Sequence, residues 1–216
     1  MPLVLKHTLG ENSELAVWEI CESEKDLLNK VQLSSVDQER LNLIPHPQKR
    51  LEFLSARVAL QMLNLEAKGL HYTDKGKPLH PDYKVSLSHN HRYGAAIIHK
   101  NAEVGIDVED IRRDASRIKH KFVRNDEESV FQSIEPNAGI WIWGMKECGY
   151  KMHGRKNLDF KSDMKVTPNT DMPPYSFDIL FPNDSLKGGV QYKILDNALI
   201  IWCVERLDIV HSMDKR

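Results

Sequence analysis

The chain has 216 residues, 41% of them hydrophobic, so it can bury a sizeable core as one large domain or two small ones. A formal net charge of -1 and a pI near 6.8 give no global electrostatic reason to expect nucleic acid or a membrane surface as partner. The longest apolar run, 198–204, is far too short to span a bilayer and residues 1–12 carry no signal-peptide core, so the expected location is the cytoplasm.

Residues 15–20 (LAVWEI) are short, apolar and β-prone, and the acidic stretch 22–26 suits a helix start, which predicts a strand followed by a helix. Residues 34–63 have a helical pattern cut at Pro45 and Pro47, whose missing N–H groups and fixed φ divide it into two pieces. In the second piece, from Gln48, Leu51, Leu54, Val58 and Met62 fall at helical spacing and form a core stripe. Lys49, Arg50 and Arg57 lie off that stripe, either as solubilising charge or as cations directed at an anionic ligand. Gly76 and Pro78 flank Lys77 in a turn composition that holds a cation at a loop tip. Residues 85–89 read as a strand ending in Ser88 and His89, with a second strand over 94–99 in hairpin-like succession. His89 and His91 form a His-x-His pair, but no third nitrogen or sulfur ligand is near in sequence, which argues against zinc.

Val104, Ile106 and Val108 then alternate with Gly105, Asp107 and Glu109, and a strand has a side-chain period of two. The two carboxylates therefore share one face, opposite three apolar residues that fix the register against a core. Like charges this close repel each other unless a cation or a shared proton lies between them. A hard ion such as Mg²⁺ takes one or two carboxylates, with substrate phosphates completing its shell. The plainer alternative is a solvated strand face carrying two acids.

After Asp114 the pattern turns helical through Ile118, Phe122 and Val130, with a helix start capped by Asn125 or Asp126. In 140–155 (IWIWGMKECGYKMHGR), Ile142, Met145, Gly149 and Met152 form one helical face, with Gly149 allowing close approach to a neighbour. Trp143, Glu147 and Lys151 recur every four residues on another face. Read alone, a Glu and Lys so spaced are an exposed pair worth only ~0.3–0.5 kcal/mol. From Asp159 onward, Pro168, Pro173 and Pro174 mark a loop-like stretch. Segments 175–181, 190–195 and 199–204 read as a meander finishing a sheet, and 208–216 as a polar tail. Cys21, Cys148 and Cys203 are odd in number and widely spaced, which indicates neither a disulfide framework nor a Cys-rich zinc site.

Taken together and in this order, the motifs resemble the 4′-phosphopantetheinyl transferases, in particular the larger monomeric type with two pseudo-symmetric lobes. The stretches that carry the resemblance are KRLEFLSAR (49–57), GKP (76–78), SLSH (86–89), GIDVE (105–109) and WGMKECGYK (143–151); the last two are specific as a pair. The resemblance implies an α+β fold in which each lobe is a small, mainly antiparallel sheet packed with helices. Its implied divisions are an N-terminal lobe over 1–102, a C-terminal lobe over 103–207 and a flexible tail over 208–216. The implied reaction moves the phosphopantetheine arm of coenzyme A to a serine of an apo acyl or peptidyl carrier protein and releases adenosine 3′,5′-bisphosphate. In that chemistry Asp107, Glu109 and Glu147 would bind Mg²⁺, Glu147 would also act as general base, and Lys151 would steady the pyrophosphate. Lys77, Ser88 and His89 would contact the nucleotide, helped by Arg50 and Arg57 from the earlier helix. The chain departs from the family pattern in Cys148 and Gly149, which replace an Ala and a larger residue, and in Gln61, which stands where many members have Arg. Two competing classes are a non-catalytic relative that binds coenzyme A or a carrier, and a Mg²⁺-dependent nucleotide hydrolase.

Overall fold

The alternation seen in the sequence becomes strands with two usable faces, and among the described residues every strand pairing is antiparallel. The computed structural model describes residues 2–127, 138–154, 157–169 and 177–206. One sheet contains β1 (Leu3–Thr8), β2 (Ser13–Glu19), β3 (His71–Tyr72), β4 (Pro78–Leu79), β5 (Lys84–His89) and β6 (Tyr93–His99), in the order β1-β2-β6-β5-β4-β3. The other contains β7 (Val104–Asp110), β8 (Lys165–Pro168), β9 (Phe177–Leu180), β10 (Lys187–Leu195) and β11 (Ala198–Glu205), in the order β7-β11-β10-β9-β8. Helices α1 (Glu24–Leu28), α2 (Ser35–Asn42) and α3 (Pro47–Gln61) precede β3, and α4 (Ala138–His153) follows β7. The fold is α+β, with two antiparallel sheets each packed by helices.

The two sheets share a core. On β2, Leu15 and Val17 face the second sheet while Ala16 and Trp18 face the helices of the first half; on β6, Ala95 and Ile97 are divided in the same way from Ala96 and Ile98. Val104, Ile106 and Val108 of β7 and Ile200 and Trp202 of β11 complete the inner layer. Leu54 and Val58 of α3 cover the outside of the first sheet, and Ile142, Met145, Cys148 and Met152 of α4 cover the outside of the second. The order is helix, sheet, sheet, helix, so central strands are buried on both faces and read as continuous apolar runs.

Local signals explain the helix boundaries. Ser34 Oγ accepts the Asp37 N–H to cap α2, and Pro47 opens α3 where its absent N–H needs no partner. Gly149 behaves as its spacing predicts: a Cβ there would collide with Ile179 Cδ1 of β9, so the glycine lets α4 lie down on the sheet. Four strands escaped the sequence patterns. β1 has a mostly exposed face with little alternation, β3 and β4 span two residues each, and β8 ends on Pro168 inside what composition marks as a loop. Ile118 and Phe122 flank a 3-10 turn, Lys119–Lys121, rather than a longer helix. The helix expected from Asn125 through Val130, Arg155, the segment with Pro173 and Pro174, and the tail 208–216 fall wholly or mainly outside the described residues. Among the described residues no helix is long and apolar enough to cross a membrane.

Candidate active site

The outward face of β7 carries Gly105, Asp107 and Glu109, and α4 lies across it. Glycine at 105 is what permits this, because a Cβ there would occupy the space of the Cys148 carbonyl oxygen. The four-residue spacing of Trp143, Glu147 and Lys151 aligns them on one side of α4, the side that overhangs Asp107 and Glu109. With the end of β5 and the first turns of α3 they line a cleft of about 570 Å³ where the two sheets meet. A second cavity of about 630 Å³, around Lys75, His153, Phe181 and Asp184, takes in none of the residues singled out by their chemistry in the sequence. Volume alone therefore does not locate the site; the convergence of charged groups does.

Lys151 Nζ donates to Asp107 Oδ1 at 2.7 Å, to the Ile106 carbonyl at 2.9 Å and to Ser88 Oγ at 3.0 Å. Ser88 Oγ in turn donates to Asp107 Oδ1 at 3.0 Å, so strands from both sheets and α4 meet at one carboxylate oxygen. The other oxygen, Asp107 Oδ2, is buried and has no hydrogen-bond partner among the described residues. Glu109 accepts from Trp143 Nε1 at 2.7 Å and from Arg113 at 3.1 Å. Burial, then the Asp107 charge, raises the Glu109 carboxyl above its usual range. Glu147 is pushed up to about 7, first by burial and then by the Asp107 charge, with Glu109 adding to the rise and Lys151 opposing it. For Lys151, burial favours the neutral amine, but the charge and hydrogen bond of Asp107 outweigh it and hold the ammonium above its usual range.

Among the described residues, no three His, Cys, Asp or Glu side chains form a ready-made metal cluster. The donor chemistry still suits a hard cation, with one orphaned carboxylate oxygen on Asp107 and a Glu147 whose ionisation its carboxylate neighbours resist. In this arrangement Lys151 and Arg113 supply the neutralising charge.

The cleft thus gathers Ser88, His89, Asp107, Glu109, Glu147 and Lys151. It does not gather three other residues proposed from the sequence. Lys77 Nζ sits 2.5 Å from both Glu103 and the Met152 carbonyl. Arg50 pairs with Glu24 at 2.6 Å and reaches the Leu41 carbonyl. Arg57, 5% exposed, pairs with the wholly buried Asp37 at 3.0 Å and donates to Tyr72. Lys49, open in the sequence between solubilising charge and a cation for an anionic ligand, lines the same cleft, as do Glu52 and Arg113, which sequence reasoning passed over. Lys49 and Glu52 stand three apart in KRLEFLSAR, a pairing signal that was available; Arg113 lies beyond the strand, where no periodicity points at Glu109.

Residues 103–197 match the family model of the 4′-phosphopantetheinyl transferase superfamily. The chain carries a domain of that superfamily. The matched span of this phosphopantetheinyl transferase domain holds Asp107, Glu109, Glu147 and Lys151, and it runs from just before β7 to the turn that enters β11. No curated protein matches the chain. The superfamily's chemistry is phosphopantetheinyl transfer, which makes the general class a transferase.

Proposed function

We propose that the protein transfers the 4′-phosphopantetheine arm of coenzyme A to a serine hydroxyl of an apo acyl or peptidyl carrier protein, using Mg²⁺ and releasing adenosine 3′,5′-bisphosphate. The observation that carries this reading is the unpartnered Asp107 Oδ2 at a cleft shared with Glu147 and Lys151, inside a phosphopantetheinyl transferase domain.

Asp107, Glu109 and Glu147 would hold the divalent ion, with Glu109 exchanging its bond from Arg113 for the metal. Bound there, the ion would screen the pyrophosphate and the charge that grows on the phosphoryl oxygens. Glu147, titrating at about 7, suits a general base at neutral pH. It would take the serine proton as the serine O–P bond forms and the P–O bond to the nucleotide's phosphate breaks, the electron pair leaving with that phosphate. Lys151, kept cationic by Asp107, would pair with the pyrophosphate, and Ser88 and His89 would face the nucleotide from the opposite strand. Lys77, Arg50 and Arg57 belong to the same proposal only if their present partners release them. A lobe boundary at 102/103 fits the turn between β6 and β7, and the reading includes a monomer working in the cytoplasm.

The experiment is intact-protein mass spectrometry of apo acyl and peptidyl carrier proteins incubated with the enzyme, coenzyme A and Mg²⁺. One phosphopantetheine added to the carrier serine is the expected result. No mass gain on any carrier, with coenzyme A affinity indifferent to Mg²⁺, would replace the proposal by a non-catalytic binder.

A further inference from the structure

Glu52 lies in α3 with only 1% of its surface exposed, and none of the steps above uses it. Its Oε2 is 2.7 Å from Lys49 Nζ and 3.2 Å from Nδ1 of His89, the last residue of β5. The contact ties the helix that covers the first sheet to the rim of the cleft. Nε2 of His89 has no hydrogen-bond partner among the described residues, while the ring lines the cleft. A carboxylate this deeply buried is stable only when its lone pairs are satisfied. An N–H on Nδ1 does that, and it leaves Nε2 as the ring atom available to a ligand.

We propose that Glu52 is a positioning residue for anion recognition: it holds the His89 ring through Nδ1, leaves Nε2 for a phosphate group in the cleft, and supports the imidazolium that such a phosphate requires. The inference rests on the phosphopantetheinyl-transfer reading, in which the ligand is a nucleotide with several phosphates. The groups facing His89 are Glu52 and Arg57 from α3 and Lys151 from α4, with Lys49 on the far side of Glu52. Burial holds the ring below the usual imidazole range; Glu52 opposes this, and Arg57 and Lys151 reinforce it. The imidazole is therefore neutral in the empty cleft at neutral pH. An arriving phosphate places the ring between two anions, and Nε2 takes one proton from solvent to become the donor. Charge-assisted bonds of this kind are about twice as strong as neutral ones.

Isothermal titration of the full chain with coenzyme A and with adenosine 3′,5′-bisphosphate, near pH 7.5 in buffers of different ionisation enthalpy, tests this. The wild type takes up protons on binding. E52Q binds on the order of tenfold more weakly and loses the uptake, and in turnover its KM for coenzyme A rises with little change in kcat. The effect of E52Q disappears in an H89N background, because Glu52 acts through the ring. E52Q binding like the wild type, or losing the same factor without His89, overturns the assignment. The ring nitrogen NMR of the wild type needs no variant to fold: a neutral His89 protonated on Nε2 rather than Nδ1 also overturns it. Wild-type chain that binds neither nucleotide would instead remove the transfer reading itself.

Discussion

Lys151 Nζ sits 2.7 Å from Oδ1 of Asp107, while Oδ2 of the same carboxylate is buried and without a partner. One residue thus fixes a cation from α4 and keeps a second oxygen in reserve at the cleft. Asp107→Asn removes the charge that does both. It is expected to lower transfer by about 100-fold or more, since a catalytic metal supplies several kcal/mol of charge stabilisation. The check is the rate of mass gain on the carrier across a Mg²⁺ titration, with the variant's melting followed separately.

Glu147 gives a pH signature. Its carboxyl is raised from 4.5 to about 7, so between those values the folded, metal-free protein binds a proton that the unfolded chain has released. Stability of the metal-free protein therefore falls as pH rises through that window. Divalent-cation binding below about 7 should release protons, and Asp107→Asn should shift the Glu147 titration downward by removing a neighbouring negative charge. Carboxyl-carbon NMR of metal-free protein measures the titration, and an unshifted value in the variant would contradict the stated cause.

On the other side of α4, Lys146 is fully buried and donates to Glu127 at 2.8 Å and to the carbonyls of Phe122, Phe160 and Met164. Glu127 also accepts the N–H groups of Arg124 and Val166. Lys146→Met strands a buried carboxylate and frees three carbonyls, a loss of about 3–5 kcal/mol. Urea unfolding should show it, with a smaller loss when Glu127→Leu is added.

Gly105→Ala tests the approach of α4 to β7. The new methyl meets the Cys148 carbonyl, a backbone atom that cannot swing aside, and destabilises by about 3 kcal/mol. Because Glu147 and Lys151 ride on the displaced helix, activity should fall further than the folded fraction does, which parallel unfolding and turnover assays will separate.

Arg57 separates a structural role from a ligand-binding one. Its ion pair with buried Asp37 predicts that Arg57→Met costs about 3–5 kcal/mol of stability. Coenzyme A affinity of the folded variant should stay within about twofold, a change below 0.5 kcal/mol. A tenfold loss of affinity at unchanged stability would instead return Arg57 to the ligand.

The strand bearing Asp107 and Glu109 was legible because a two-residue period with apolar partners permits only one register. The face of Trp143, Glu147 and Lys151 was legible for the same reason at helical spacing. Periodicity assigns faces within an element; it is silent on which elements meet. The basic residues show the limit, since Lys49, Arg50 and Arg57 occupy one helix yet have different fates. Lys49 stands at the cleft, Arg50 reaches back to α1, and Arg57 turns inward to Asp37. Glu52 was hidden for a like reason, because its partner His89 is 37 positions away.

From sequence alone, the chain determined its two carboxylates on one strand face and its Glu-Lys helix face, because both are set by interactions between near neighbours, while its α+β fold was implied by the family resemblance. Only the tertiary structure decided that these faces close on one cleft, that one Asp107 oxygen is left without a partner, and that Lys77, Arg50 and Arg57 are bound elsewhere. Those outcomes depend on how two sheets and two helices stack, and on the need of every buried charge for a counter-charge, which no local pattern encodes.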